Sequence, residues 1–110
     1  MAIKSQPSLA PWWYTPEQDE GEKMTRFKIK PLNGLEKLDI AGELGSNRFS
    51  SAQKVALRLG LVDWENLDDP NGQPVDFKPE NFQLLGVDLL ADLAQVIIKG
   101  TVLSEEQTKN

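Results

Sequence analysis

The sequence predicts a small, mainly α-helical α+β fold with a short N-terminal strand, three to four helices and one β-hairpin around Asp68–Gly72. Three observations support this class. Apolar residues recur at helical spacing in three segments, residues 25–31 alternate between apolar and basic side chains, and a turn-forming cluster separates two short stretches with strand character. A chain of 110 residues can bury one modest core. We therefore expect a globular domain over residues 25–103, after a flexible arm at 1–24 and before a polar tail at 104–110.

The predicted arm has no helical or strand period, because proline, glycine and a charged run at 17–23 interrupt it. It contains three adjacent aromatic residues, Trp12, Trp13 and Tyr14, each of which can bury on the order of 150–250 Å². Two interpretations are open: these side chains fold back onto their own domain, or they anchor a neighbouring molecule. We expect them to dock on an adjacent subunit and to contribute to self-association or partner binding.

The strand predicted at residues 25–31 places Phe27 and Ile29 on one face and basic side chains on the other. The alternation indicates that one face is buried and the basic face is solvated or receives an acidic partner. Pro31 ends the strand or marks it as an edge strand, because proline cannot donate a ladder hydrogen bond.

Two helices are predicted next. The first has Asn33 as N-cap with Glu36 three residues later, the spacing of a capping box, and glycines at 42 and 45 limit it to about three turns. The second is capped by Ser50 or Ser51 and ends at Gly60. The apolar residues at helical spacing are Leu35, Leu38 and Ala41 in the first helix and Ala52, Val55, Ala56 and Leu59 in the second.

The hairpin is predicted from two stretches, Leu61–Asn66 and Gln73–Phe77, that flank the turn formers. Asn71-Gly72 suits a turn with positive φ. Trp64 is either a core residue or a surface hot spot, and the core is favoured because a small hairpin needs an aromatic anchor. We therefore predict that Trp64 and Phe77 are structural anchors.

A longer helix is predicted after Gly86, with Asp88 as its cap and Gly100 just beyond its end. Its apolar residues cover more than one face, so one part is expected to pack on the hairpin and the second helix. The remainder is predicted to form a self-association or partner-binding surface made of Leu90, Leu93 and Ile97.

The composition argues against an enzyme. The chain has no histidine and no cysteine, which removes the commonest general base, thiolate metal sites and disulfides. Oxygen ligands are dense around Asp68–Gly72, but their spacing does not fit a calcium loop, so we predict no catalytic residue, no metal and no cofactor. A net charge of −5 discourages nucleic-acid binding, and no apolar run predicts a signal peptide or a membrane span.

The segment Gly60–Asn81 carries a family resemblance. From its N-terminus, the segment begins with a glycine that ends a helix, an apolar pair and Trp-Glu-Asn. An acidic turn with glycine follows, and then Gln-Pro-Val, a phenylalanine and Pro-Glu-Asn, which opens a helix. This order resembles the tail assembly chaperones of long-tailed, lambda-like bacteriophages. The stretch Thr25–Glu36 is similar to the opening strand and first helix start of that family, and the resemblance spans Tyr14 to Glu106.

The resemblance implies a non-enzymatic chaperone that coats the tape measure protein, keeps it soluble and helps recruit the major tail (tube) protein. It further implies action in the host cell cytoplasm and no presence in the mature virion. A long partner is best coated by head-to-tail self-association, so an open helical array is expected. The alternative is a small acidic regulator or nucleic-acid mimic that occupies a basic site on a partner protein, which would be monomeric and would lose its partner steeply with salt.

Overall fold

The computed structural model describes residues 10–18 and 24–109, with side chains through residue 99. Its described elements in chain order are β1 (Trp12–Tyr14), β2 (Arg26–Ile29), α1 (Gly34–Gly45), α2 (Phe49–Gly60), β3 (Leu61–Glu65), a 3₁₀ helix (Pro79–Leu84) and α3 (Val87–Lys109). The described part of the chain contains three α-helices, one 3₁₀ helix and a three-stranded antiparallel sheet, which confirms the α+β class.

The sheet has the order β1-β2-β3, so β2 is its central strand. The alternation predicted for residues 25–31 is confirmed, since Phe27 and Ile29 are both fully buried. Pro31 does not mark an edge strand. The strand ends at Ile29, and both of its sides are paired.

The hairpin prediction is only partly confirmed. Asp69 accepts hydrogen bonds from the backbone N–H groups of Asn71 and Gln73, and Gly72 has a φ of +81°, so the turn forms where it was predicted. However, β3 pairs with β2 and not with the stretch after the turn, where one isolated bridge joins Asp68 to Pro74. Proline lacks the N–H that a continuous ladder needs, which explains why this stretch does not extend into a strand.

The predicted start of α1 is confirmed in detail. The Asn33 side chain accepts from the Glu36 N–H at 2.9 Å, and the Glu36 carboxylate accepts from the Asn33 N–H at the same distance. The start of α2 differs from the prediction. Arg48 precedes the helix and makes no side-chain cap, so neither Ser50 nor Ser51 is the N-cap, although the helix ends at Gly60 as expected.

The last helix begins one residue after Gly86, so Asp88 lies in its first turn and does not cap it. It continues through Gly100 to Lys109, so the prediction that Gly100 lies beyond its end is wrong. A glycine in a helix interior costs only about 1 kcal/mol relative to alanine, so a single glycine does not by itself end a helix. Residues 104–109 are therefore helical, and the tail predicted there is the last part of α3.

An aromatic cluster around Trp64 forms one end of the core. The Trp64 side chain is 6% exposed, and its ring lies 6.2 Å from Phe27, 4.9 Å from Phe77 and 5.9 Å from Phe82 between centroids. Its indole N–H donates to the Val75 carbonyl at 2.8 Å. Edge-to-face contacts of this kind add to the burial energy of the rings. The prediction of Trp64 as a core anchor, with Phe77 packed on it, is confirmed.

Candidate interaction surfaces

The three aromatic residues of the N-terminal segment form β1. Trp12 lies opposite Ile29, Trp13 opposite Lys28 and Tyr14 opposite Phe27. Trp12 and Tyr14 pack against the core of their own chain. For Trp12 and Tyr14 the structure shows the other interpretation, folding back onto their own domain, because β2 offers them a backbone edge and an apolar face. The parts of the predicted arm at 1–9 and 19–23 lie outside the described residues.

Trp13 points to the other face of the sheet and lies among basic side chains. The Arg26 guanidinium carbon is 4.9 Å from the Trp13 ring centroid, and the Lys28 ammonium is 5.8 Å from it. Arg26 also forms an ion pair with Glu65 on β3. Partly exposed cation–π contacts of this kind contribute on the order of 0.5–1 kcal/mol each. Within the basic face predicted for β2, Arg26 and Lys28 therefore contact their own sheet, and Lys30 pairs with Glu36 of α1.

Tyr14 connects β1 to α3. Its hydroxyl donates to the Asp92 carboxylate at 2.8 Å. Burial, the hydrogen bond and the negative charge of Asp92 together raise the pKa of Tyr14 to about 12. The hydrogen bond fixes the position of the Asp92 carboxylate on α3.

The predicted binding surface on α3 lies inside the fold. Leu93 and Ile97 are completely buried, and Leu90 is half-buried against the core. These residues therefore stabilise the packing of α3 within the chain, and the prediction that Leu93 and Ile97 form a self-association surface is wrong. The wide apolar face of the helix indicated a partner, but the sequence could not show that the partner is the rest of the same domain.

The exposed apolar residues lie elsewhere, most clearly on α1. Leu35 is 77% exposed and Leu38 is 67% exposed, whereas Ile40 is the buried residue of this helix. The apolar residues that recur at helical spacing in α1, Leu35, Leu38 and Ala41, therefore lie on its solvent face. The other large apolar side chains exposed among the described residues are Leu44, Phe49, Val62, Leu84 and Val87, at 40%, 65%, 36%, 62% and 78%.

A groove with a volume of about 500 Å³ lies between α3 on one side and α1 and α2 on the other. Its apolar lining consists of Leu44, Phe49, Ala91 and Ile98. Its polar lining includes Asp88, Asp92 and Lys99. Sequence reasoning missed this groove, because its lining comes from three separate helices. The one signal in the sequence is a run of non-core residues on α3 at spacings of three and four.

No group of three or more acidic, histidine or cysteine side chains within residues 10–18 and 24–99 is arranged to hold a metal ion. Over the same part of the chain, none of the helices is long and apolar enough to span a membrane. No family model, curated protein or solved structure matches the chain. The resemblance to tail assembly chaperones therefore stays a prediction from the residues.

Proposed function

We propose that this protein is a non-enzymatic phage tail assembly chaperone. It binds the tape measure protein, keeps it soluble and helps recruit tail tube subunits in the host cytoplasm, and it is not retained in the mature virion. The observation that carries the proposal is the exposed apolar surface of an acidic domain. Large apolar side chains left in contact with water mark interaction sites when they cluster, and here they line a groove and one face of α1.

The two apolar surfaces lie on different sides of α1. Leu35 is on the exposed face, whereas Leu44 lines the groove. These residues are nine positions apart, about two and a half helical turns, so they point in opposite directions. One surface can therefore hold a partner while the other contacts a neighbouring copy. Where that surface meets a different patch of the neighbouring copy, the contact is heterologous, and such contacts give open arrays when the rotation does not close. Many weak contacts along a long partner add up to stable coating.

Co-expression with the tape measure protein of the same genome tests the proposal. The expected result is that the tape measure protein moves from the insoluble to the soluble fraction and co-purifies with this chain. A tape measure protein that stays insoluble, with this chain soluble and folded beside it, would contradict the proposal.

Sedimentation velocity over a concentration and salt series tests self-association. Because apolar contacts persist when salt screens the repulsion between acidic subunits, association should hold or strengthen as ionic strength rises. Replacing Leu35 and Leu38 by serine should weaken association without changing the melting temperature, because both side chains are mostly exposed. Lys54→Ser, on the exposed side of α2, is the matched control. A monomer at every concentration, or an oligomer that dissociates with salt, would favour the acidic mimic.

A further inference from the structure

We propose that the groove between α3 and the α1–α2 pair binds an amphipathic α-helix of a partner protein, and that this helix carries basic side chains beside its apolar face. The inference deepens the proposed function and rests on it for the identity of the partner.

The shape of the groove suits a helix. The residues of α3 that line it run from Asp88 to Lys99 and recur at spacings of three and four, which places them on one face. This face extends over three turns, or about 16 Å. Phe49 and Gln53 of α2, four residues apart, line the opposite side. A partner helix can therefore lie along the groove and bury about three turns of its apolar face.

The residues that line the groove also favour a helix over an extended peptide as the ligand. Every residue that lines the groove belongs to a helix, and apart from the first-turn N–H groups of Phe49 and Asp88 the backbone groups of the lining are used within those helices. An extended peptide would find no sheet edge to pair with and would leave its own backbone groups unpaired against apolar side chains. A helix satisfies its backbone internally and needs only side-chain contacts.

The charge of the groove favours a basic partner helix over a second copy of this chain. Asp88 and Asp92 lie four residues apart on the groove face of α3, and Lys99 lines the groove further along the helix. The Tyr14 hydroxyl holds the Asp92 carboxylate in place, so this charge is fixed before a partner binds. A second copy would bring a net charge of −5 against it. A helix with lysine or arginine next to its apolar residues is complementary to the groove.

Phe49 is the side chain best placed to anchor the partner. It is the first residue of α2, it lines the groove, and 65% of it is exposed. Exposed aromatic residues in a concave apolar surface are frequent binding hot spots. Because most of the ring is in water, its removal should change binding far more than folding.

The test uses two synthetic amphipathic peptides of about 18 residues, long enough for five turns. Both have the same leucine stripe, and the flanking positions carry lysine in one and glutamate in the other. Fluorescence anisotropy of the labelled peptides measures binding to the full chain. We expect the lysine peptide to bind at least about tenfold more tightly than the glutamate peptide at low salt, and the difference to shrink at about 0.5 M salt.

Single substitutions then test whether the lysine peptide binds in the groove. Phe49→Ser should weaken binding of the lysine peptide by at least about tenfold. Asp88→Asn should weaken it by about two- to fivefold at low salt only. Leu84→Ser, which is 62% exposed and lies outside the groove, is the matched control and should bind like the wild type. Melting curves monitored by circular dichroism check that each variant is folded.

Three results would overturn the groove assignment: equal binding of the two peptides, binding unaffected by Phe49→Ser, or self-association that is lost in Phe49→Ser. The last result would make a second copy the occupant. The proposed function fails separately. If the lysine peptide binds in the groove but co-expression leaves the tape measure protein insoluble, the groove assignment stands and the chaperone function does not.

Discussion

Gly60 should not tolerate even the smallest side chain, because α2 and α3 meet at this residue. A Cβ atom built on Gly60 would lie 2.5 Å from Cγ2 of Ile97 and 3.1 Å from its Cγ1. Real Cβ atoms do not approach other carbons this closely, so one of the two helices has to shift. Ile97 is fully buried, which leaves its side chain no open space to move into.

The expected cost of Gly60→Ala is the difference between two effects. Adding a methyl group to a well-packed core costs about 1–3 kcal/mol. Replacing a helical glycine by alanine gains about 0.5–1 kcal/mol from backbone entropy. The short contact places the cost of the added methyl group in the upper half of its range, so we expect a net loss of about 1–2.5 kcal/mol in the free energy of unfolding. For a domain of this size such a loss lowers the melting temperature by about 4–20 °C.

Urea denaturation followed by tryptophan fluorescence measures this change. The matched control is Gly42→Ala, because Gly42 lies in α1 and a Cβ there meets nothing within 4 Å. That variant should be more stable by about 0.5–1 kcal/mol. In the background of Ile97→Ala, which removes the clashing atoms, Gly60→Ala should cost at least about 1 kcal/mol less than in the wild type. A Gly60→Ala variant as stable as Gly42→Ala would refute the packing of α2 against α3 described here.

Three further predictions concern single side chains. Trp64→Ala should lower the free energy of unfolding by about 3–5 kcal/mol, measured by chemical denaturation, and a melting temperature equal to that of the wild type would move Trp64 out of the core. Asn33→Ala should cost about 1 kcal/mol in the same assay, with Asn33→Asp as a control that keeps the cap. Tyr14, the one tyrosine in the sequence, should titrate near pH 12 by absorbance in the native state, above its ordinary value of 10.0. Because its folded pKa is raised, its contribution to stability is complete below about pH 10 and is lost as the pH rises through about 12. Asp92→Asn should lower this titration midpoint, and an unchanged midpoint would contradict the hydrogen bond between the two side chains.

The features that the sequence determined by itself are those whose cause lies within a few residues. The cap of α1 depends on Asn33 and Glu36, which are three positions apart, and the turn at Gly72 depends on its own backbone freedom. The end of α2 at Gly60 was also predictable from local signals. Trp64 could be assigned to the core because a large aromatic residue between turn signals has few other stable positions.

The tertiary structure decided which surfaces meet, because pairing and packing depend on residues far apart in the chain. Trp64 pairs across the sheet with Phe27, thirty-seven positions earlier, although a nearer partner stretch was available after the turn. Leu35 and Leu93 both sit at helical spacing in apolar patterns, yet Leu35 is 77% exposed and Leu93 is fully buried. A helical period identifies an apolar face, but only the arrangement of the neighbouring elements determines whether that face is covered. The groove exists for the same reason, since its shape is set by the space that three packed helices leave between them.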